Sequence, residues 1–399
     1  MAKINPEIES FVRIKVIGVG GSGKNALNHM INSKVKGVEF IVMNTDTQDL
    51  HNSLAEKKVH LGKNLTKGLG AGMNPEVGKR AAEETKSEIQ DVIKGANMVF
   101  IAGGMGGGTG TGAAPIIAQA AKEQGILTVA VVTKPFSFEG NQRMKLAEMG
   151  LSELEKEVDA ILVIPNDRLL LVSGKDVGFR QAFAMCDEVL KQAVEGISEL
   201  ITTPGMINVD FADIKAVMSD AGSALMGVGT AAGEGRAEKA AMQAINSPLL
   251  DLSISGAHGV LFAISGGEDL TIHEIQESAK IITESIDSEA KVIFGTIRDD
   301  KLKKGEMKVT VIATGFPTGM PRRSVFASSK AQQAPEPIAV EEKKEDFFSM
   351  IKKEPAREPA PEYVKKPEPI KIEDDEMFID DTTTDDWSTL PPFLRSKKK

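Results

Sequence analysis

One cysteine, one tryptophan, one tyrosine and five histidines are all that 399 residues carry of those types. The lone cysteine, Cys186, leaves no intramolecular disulfide framework and points to a reducing compartment. Histidines without clustered spacing to that cysteine argue against a structural zinc site, and no metal ligand set is expected. No run of 18 apolar residues occurs, and the amino-terminal MAKINPEIES has no apolar stretch, so neither a membrane span nor a secretory signal is expected. Positive charge is in deficit. With 48 Lys+Arg against 57 Asp+Glu the net charge is −9, which argues against nucleic acid as the main partner.

What the chain has in excess is glycine in two places. Between Gly103 and Gly112 it reads GGMGGGTGTG, preceded by the apolar NMVFIAG and followed by GAAPIIAQAAKEQG with apolar residues at helical spacing. Strand, glycine loop and helix start, in that order, make an anion site: glycine lets the backbone approach closely, and the first N–H groups of the helix point at the ligand. Thr109 and Thr111 add hydroxyl donors. A hinge is the competing reading, but hinges seldom occupy a strand-to-helix turn.

The second loop lies in FVRIKVIGVGGSGKNALNHMINS. Gly18-x-Gly20-x-x-Gly23 fits a dinucleotide fingerprint, and Gly18-x-x-x-x-Gly23-Lys24 fits most of a Walker A loop. Each template has a defect. A Walker loop ends in Ser or Thr, and here Asn25 follows the lysine. The dinucleotide template wants an acid at the end of the next strand, where Glu39 comes early and Asp46 late. A mononucleotide loop acting together with residues 103–112 accounts for both glycine runs.

The segments VIGVGGSGKNALNHMI, FIVMNTD, LTKGLGAGMNPEVG, FIAGGMGGGTGTGAAP, VTKPFSFEG, IPNDRLL, NVDFADIKAVMSDAGSALMGVG and the terminal LPPFLR stand in one order along nearly the whole chain. Together they resemble the tubulin/FtsZ family of polymerising GTPases, and in particular its bacterial cell-division branch. Lys24 departs from that pattern, which carries a small residue there.

Strand candidates at 11–19, 38–44, 97–102, 126–133 and 158–164, near-continuously apolar and separated by helices, predict a parallel sheet covered on both faces. A long amphipathic helix follows over 177–201 and is broken at Thr202-Thr203-Pro204-Gly205. Strands within 223–233, 258–267, 290–300 and 307–315, with helices near 234–245 and 269–285, predict a smaller mixed α/β part. The expected organisation is an arm at 1–10, a GTP-binding domain at 11–175, a central helix at 176–204 and an activating domain at 205–316. A disordered linker at 317–375 and a docking peptide at 376–399 complete it. Residues 321–399 hold ten of the 18 prolines and a balanced 15 Lys+Arg and 17 Asp+Glu, a composition that cannot offset ordering entropy by burial. Apolar clusters interrupt it at Asp346–Ile351 and at the chain end.

The resemblance implies roles for particular residues. Gly20, Gly21, Ser22, Gly23, Lys24 and Asn25 on one side, and Gly106, Gly107, Gly108, Thr109 and Gly110 on the other, are implied to cradle the phosphates of GTP or GDP. Lys24 has two readings, a phosphate contact or a solvent-facing side chain. Asn44 and Asp46 hold magnesium waters or form an Asx turn, with Mg2+ bound mainly through nucleotide and water. Glu139 and Arg143 contact ribose and base, or form an ordinary i,i+4 ion pair. Asn166 and Asp187 match the guanine readers, and Phe183 is an aromatic platform or a core residue. Asp210 and Asp213, with Asn208, match the loop that a subunit inserts into the next subunit's pocket to orient the attacking water.

The partners implied are further copies of this chain, head to tail, and membrane-tethering division proteins. The tethers are implied to dock on Asp386, Trp387, Leu390, Pro391, Phe393, Leu394 and Arg395. The implied location is the cytoplasm at the mid-cell division site. Three alternatives stay open: a tubulin-like filament of plasmid segregation or cell shape, a nucleotide-binding scaffold without hydrolysis, and a nicotinamide-dependent oxidoreductase built on the first loop.

Overall fold

The computed structural model describes residues 12–173, 177–247, 254–299 and 301–316. Its first six strands are β1 (Ile14–Val19), β2 (Val38–Asn44), β3 (Lys57–His60), β4 (Met98–Gly104), β5 (Leu127–Lys134) and β6 (Ala160–Pro165). All are parallel, in the order β3-β2-β1-β4-β5-β6. From β1 the chain winds outward to β2 and β3, and from β4 it winds the other way to β5 and β6. The crevice where the winding direction reverses therefore lies between β1 and β4, which pair from Ile14↔Met98 to Gly18↔Ala102. Open α/β sheets bind ligands at the carboxyl ends of the strands at such a point.

Both faces are buried because alternate residues of each strand feed different cores. Val16 and Phe100 enter one cluster with Leu27, Met30 and Leu190; Ile17 and Ile101 enter the other with Ile89, Ile117 and Leu154. The first cluster is covered by helices α1 (Gly20–Asn32) and α9 (Phe179–Thr202). The second is covered by α4 (Pro75–Glu84), α5 (Lys86–Ile93), α6 (Thr109–Glu123) and α7 (Asn141–Glu157). Short helices α2 (Thr47–His51), α3 (Lys63–Thr66) and α8 (Asn166–Ser173) fill the connections.

The remaining strands are β7 (Gly222–Ala232), β8 (Gly259–Gly266), β9 (Lys291–Arg298) and β10 (Glu306–Thr314), with helices α10 (Phe211–Met218), α11 (Arg236–Ile245) and α12 (Ile272–Glu284). The expected strand and helix positions are met here to within a few residues. The start of β7 pairs in parallel with β6 over three residues, and the strand then runs antiparallel to β10. This ladder joins parallel and mixed parts into one ten-stranded sheet ending β6-β7-β10-β8-β9. A third core, around Phe262, Ile264, Val309 and Ala240, belongs to the mixed part.

Helix α9 sets the geometry of the whole unit. Its 24 residues span about 36 Å. Phe179 at its start lies against Phe138, in the turn after β5, with ring centroids 5.9 Å apart. Thr202 at its end abuts Gly37, at the entry to β2, where a Cβ would come within 2.6 Å of its hydroxyl. The helix thus runs from the carboxyl edge of the parallel strands to their amino edge. The chain beyond it emerges on the far side from the glycine loops.

Candidate nucleotide site

Both glycine loops fall where the sheet predicts a ligand. β1 passes directly into α1, and β4 passes into α6 through residues 105–108. The loops approach each other most closely at glycines. A Cβ on Gly20 would lie 3.2 Å from the Gly110 nitrogen, and one on Gly104 would lie 2.5 Å from the Ser22 hydroxyl. A Cβ on Gly23 would lie 2.6 Å from the Ala102 carbonyl, so the first turn of α1 can rest on β4 only without one. Neither α1 nor α6 has a side-chain cap at its amino end. Two sets of first-turn N–H groups therefore converge on one concavity, each carrying the positive end of a helix dipole. Gly21, Ser22 and Asn25 are exposed there, Gly107 and Thr109 half-buried, and Gly108 and Gly110 buried.

A third wall comes from residues 68–73, for which no role is expected from the sequence. A Cβ on Gly108 would overlap the Gly72 carbonyl and lie 2.9 Å from that of Ala71. Gly70 donates its N–H to the Thr45 carbonyl (3.2 Å), and the Thr45 and Thr109 hydroxyls meet at 2.6 Å, tying this wall through the turn after β2 to the glycine loop at 103–112. Its contribution is backbone, so the only sequence signal is the alternation Gly68-Leu69-Gly70-Ala71-Gly72, whose three glycines all have positive φ. Thr111, expected as a donor to the ligand, is buried and accepts the Gly106 N–H at 2.8 Å, closing the loop on itself.

The polar residues after β2 are engaged with one another. Asn44 Oδ1 accepts the Thr45 N–H (2.8 Å), and its Nδ2 donates to Asp49 Oδ2 (2.8 Å). Asp46 caps α2, accepting the Asp49 N–H at 3.0 Å. These are the bonds of the Asx-turn reading. Lys24 follows neither expected course: its ammonium pairs with Asp49 Oδ1, and only 13% of its side chain is exposed. Asp49 lies outside the expected site residues because its partner is 25 positions away.

On the β5–β6 side, Glu139 and Arg143 form the i,i+4 pair at 3.0 Å, and Glu139 also accepts the Phe136 N–H at 2.9 Å. The Arg143 backbone packs on the cradle itself, its carbonyl 2.7 Å from where a Cβ on Gly106 would be. Phe183 meets Phe136 edge-on at 5.2 Å and Phe179 at 5.0 Å, within a group of four phenylalanines. Asp187, one turn further along α9, has its carboxyl pushed up to about 6 by burial, with His29 on α1 pulling the other way. Beside it the Cys186 thiol is pushed up to about 12 by burial and by the charges of Asp187 and Glu139, so it is inert. Asn166 is 5% exposed, and its Oδ1 has no hydrogen-bond partner. A buried, unpaired amide oxygen is costly unless a ligand completes it.

Asn208, Asp210 and Asp213 stand apart from all of this. Asn208 accepts the Gly205 N–H at 2.7 Å, and residue Ile207 bonds to Thr296 on β9. Asp210 begins α10 with a side chain that caps nothing, and Asp213 follows in the first turn; both are exposed. They lie beyond the far end of α9. An open cleft lined by Met206, Leu270, Ile297 and Arg298 is also outside the cradle.

Residues 13–174 match the Tubulin/FtsZ family, GTPase domain, and residues 222–317 match the FtsZ family, C-terminal domain. The empty FtsZ dimer of M. jannaschii is 45% identical over 76% of this chain and 88% of its own, with a TM-score of 0.73. The chain belongs to the FtsZ family. A point variant of the same M. jannaschii FtsZ is 44% identical over 77% of this chain and 92% of its own, at a TM-score of 0.74. CetZ2 from Haloferax volcanii, in a GTPγS-bound protofilament, shares the fold at 21% identity and a TM-score of 0.66, covering 77% and 94% of the two chains. FtsZ membership makes this a GTPase-domain protein that binds GTP and GDP, and it accounts for the pair of glycine loops that neither single-loop template explained.

Proposed function

We propose that this chain is a GTP-hydrolysing subunit of a head-to-tail filament that builds the division ring, with each active site completed by the next subunit. The observation that carries the reading is the separation along α9. The anion cradle lies at the carboxyl edge of the parallel strands, while Asp210 and Asp213 lie exposed beyond the other end of α9, a helix itself about 36 Å long. Acids that far off cannot serve the cradle of their own subunit. A second copy stacked in the same orientation would bring its own Asp210 and Asp213 over the first copy's cradle. Such a contact is heterologous and propagates as an open filament. The M. jannaschii FtsZ dimer and the CetZ2 protofilament support self-association of this fold.

Within the cradle, the N–H groups of residues 20–23 and 107–110 would hold the phosphates, and the unpaired Asn166 amide and the Asp187 carboxylate would read guanine. An ionised carboxylate accepts from both N1–H and the exocyclic amine, a donor pair adenine does not present. Phe183 would support the ring by its edge of the aromatic group. Among the described residues no cluster of three acids, histidines or cysteines could hold a metal ion. Asn44 and Asp46 are committed to their turn, so Mg2+ would be carried by nucleotide oxygens and water. Phosphoryl transfer needs chiefly positioning and charge stabilisation, with a polar group to orient the water. In this scheme Asp210 and Asp213 of the neighbouring copy do that, and Asn208 holds their loop.

Among the described residues no helix is long and apolar enough to cross a membrane. The docking residues Asp386, Trp387, Leu390, Pro391, Phe393, Leu394 and Arg395 lie outside the described residues, as do the 1–10 arm and the Asp346–Ile351 cluster. The terminal peptide, with paired prolines that lower its ordering cost and Trp387 and Phe393 as anchors, is proposed to bind a tether at the mid-cell membrane. That peptide is also what favours division over plasmid segregation. The test is phosphate release per subunit measured against protein concentration. A shared site gives almost none in dilute solution and a steep rise above a threshold. A constant specific rate would mean that each subunit hydrolyses GTP alone.

A further inference from the structure

Lys24 and Asp49 place a full ion pair at the mouth of an anion cradle that otherwise works with backbone N–H groups. The lysine stands one turn into α1, where a free ammonium would be drawn to any bound phosphate. Instead it is held by Asp49 Oδ1. The carboxylate cannot easily let go, because Asn44 Nδ2 grips its other oxygen at 2.8 Å and the Asp49 backbone is tied to Asp46 at 3.0 Å. That other oxygen is only 3.4 Å from where a Cβ on Gly21 would stand, so the acid faces the very turn that offers its N–H groups to phosphate. The pair is three-quarters or more buried, with side-chain exposures of 13% and 25%, and salt screens it less than a surface pair.

We propose that Asp49 is a positioning residue that sets nucleotide affinity by holding the Lys24 ammonium off the phosphate. This rests on the reading of the cradle as a phosphate site. Neutralising Asp49 releases a cation one helical turn from the phosphate-binding N–H groups. The freed ammonium then makes the charge-assisted contact that a Walker lysine makes. The intact pair adds no net charge to the cradle and keeps its ligand exchangeable, which suits a filament subunit that must trade GDP for GTP.

The experiment measures GDP and guanosine binding to four full-length proteins: wild type, Asp49→Asn, Lys24→Met/Asp49→Asn, and Asp49→Ser as a second neutral variant should the amide pack badly. Nucleotide-free melting establishes that each is folded. The neutral Asp49 variants should bind GDP roughly tenfold tighter, with slower release and a steeper loss of affinity with salt. Guanosine, which lacks phosphate, should bind all four alike. The double variant should return to within about threefold of wild type, because the gain needs the lysine. If Asp49→Asn and Asp49→Ser are folded and bind GDP no tighter, the proposal is overturned. It is equally overturned if the tenfold gain survives in the double variant, since Asp49 would then act by its own repulsion. Failure of wild type to bind GDP at all would remove the cradle reading and this inference with it, a result the variants could not mimic.

Discussion

Gly107 and Gly108 are adjacent, yet a methyl group at each should do opposite things. At Gly107 a Cβ meets no protein atom within 4 Å, and the backbone there is not in the left-handed region. Alanine at such a site slightly stabilises the fold by narrowing the unfolded ensemble, by about 0.4–1 kcal/mol. For a folded body of this size that raises Tm by about 1–3 °C. The empty space is the space assigned to phosphate. A methyl group there should cost at least one charge-assisted hydrogen bond, about 1.5–3 kcal/mol, or roughly 10- to 150-fold in GDP affinity. At Gly108 the added Cβ overlaps the Gly72 carbonyl and sits 2.9 Å from that of Ala71, so the 68–73 wall must move. Overpacking of that kind costs about 1–3 kcal/mol in stability. The assay is thermal melting without nucleotide beside equilibrium binding of a fluorescent GDP analogue. Gly107→Ala should melt at or about 1–3 °C above wild type and bind poorly, whereas Gly108→Ala should melt early. A Gly107→Ala protein that binds GDP normally would show that no phosphate lies on that face, and the cradle would have to be redrawn.

Two titrations follow from buried acids. Asp187 is raised to about 6, chiefly by burial, and must be ionised to accept guanine's two donors. GDP affinity should therefore fall as pH drops through 6, and Asp187→Asn should flatten that profile; a wild-type profile flat from pH 5 to 8 would remove Asp187 from base reading. Glu199 is also raised to about 6, by burial ahead of the opposing pull of Lys308, and its Oε2 has no hydrogen-bond partner. A folded-state value above the unfolded one means stability present below about pH 4.5 and lost as pH rises through 6. Glu199→Gln should match wild type in denaturant unfolding at pH 4 and exceed it by on the order of 1–2 kcal/mol at pH 8; equal stability at pH 8 would show that Lys308 compensates the buried charge fully.

Much of this architecture is legible in the chain because its strands are apolar on both faces and its ligand loops are written in glycine. β1 reads IKVIGV with every residue buried, and such a run admits few assignments. β3 escapes because KKVH exposes its two lysines and buries only Val59 outright, leaving no period to detect. The continuity of the sheet escapes for a related reason. It depends on Gly222, Ser223 and Ala224 pairing with β6, and these small residues announce neither a partner nor a face. At the site, residues acting through side chains were readable as candidates, whereas the 68–73 wall acts through carbonyls. The Lys24–Asp49 pair needs two residues brought together across α1 and α2, a contact that spacing along the chain does not encode.

An active site that belongs to two molecules should be restored by mixing two proteins, each defective in a different half. Gly107→Ala keeps Asp210 and Asp213 but, binding nucleotide roughly 10- to 150-fold more weakly, stays largely empty at a GTP concentration that just fills the wild-type cradle; Asp213→Ala keeps the cradle but cannot complete its neighbour's. Each alone should release almost no phosphate. Mixed in equal amounts, the Gly107→Ala subunit can seat its intact acids over the GTP held by an Asp213→Ala subunit, and phosphate release should reappear. A mixture no more active than the sum of its parts, with both proteins folded, would contradict a site shared between copies.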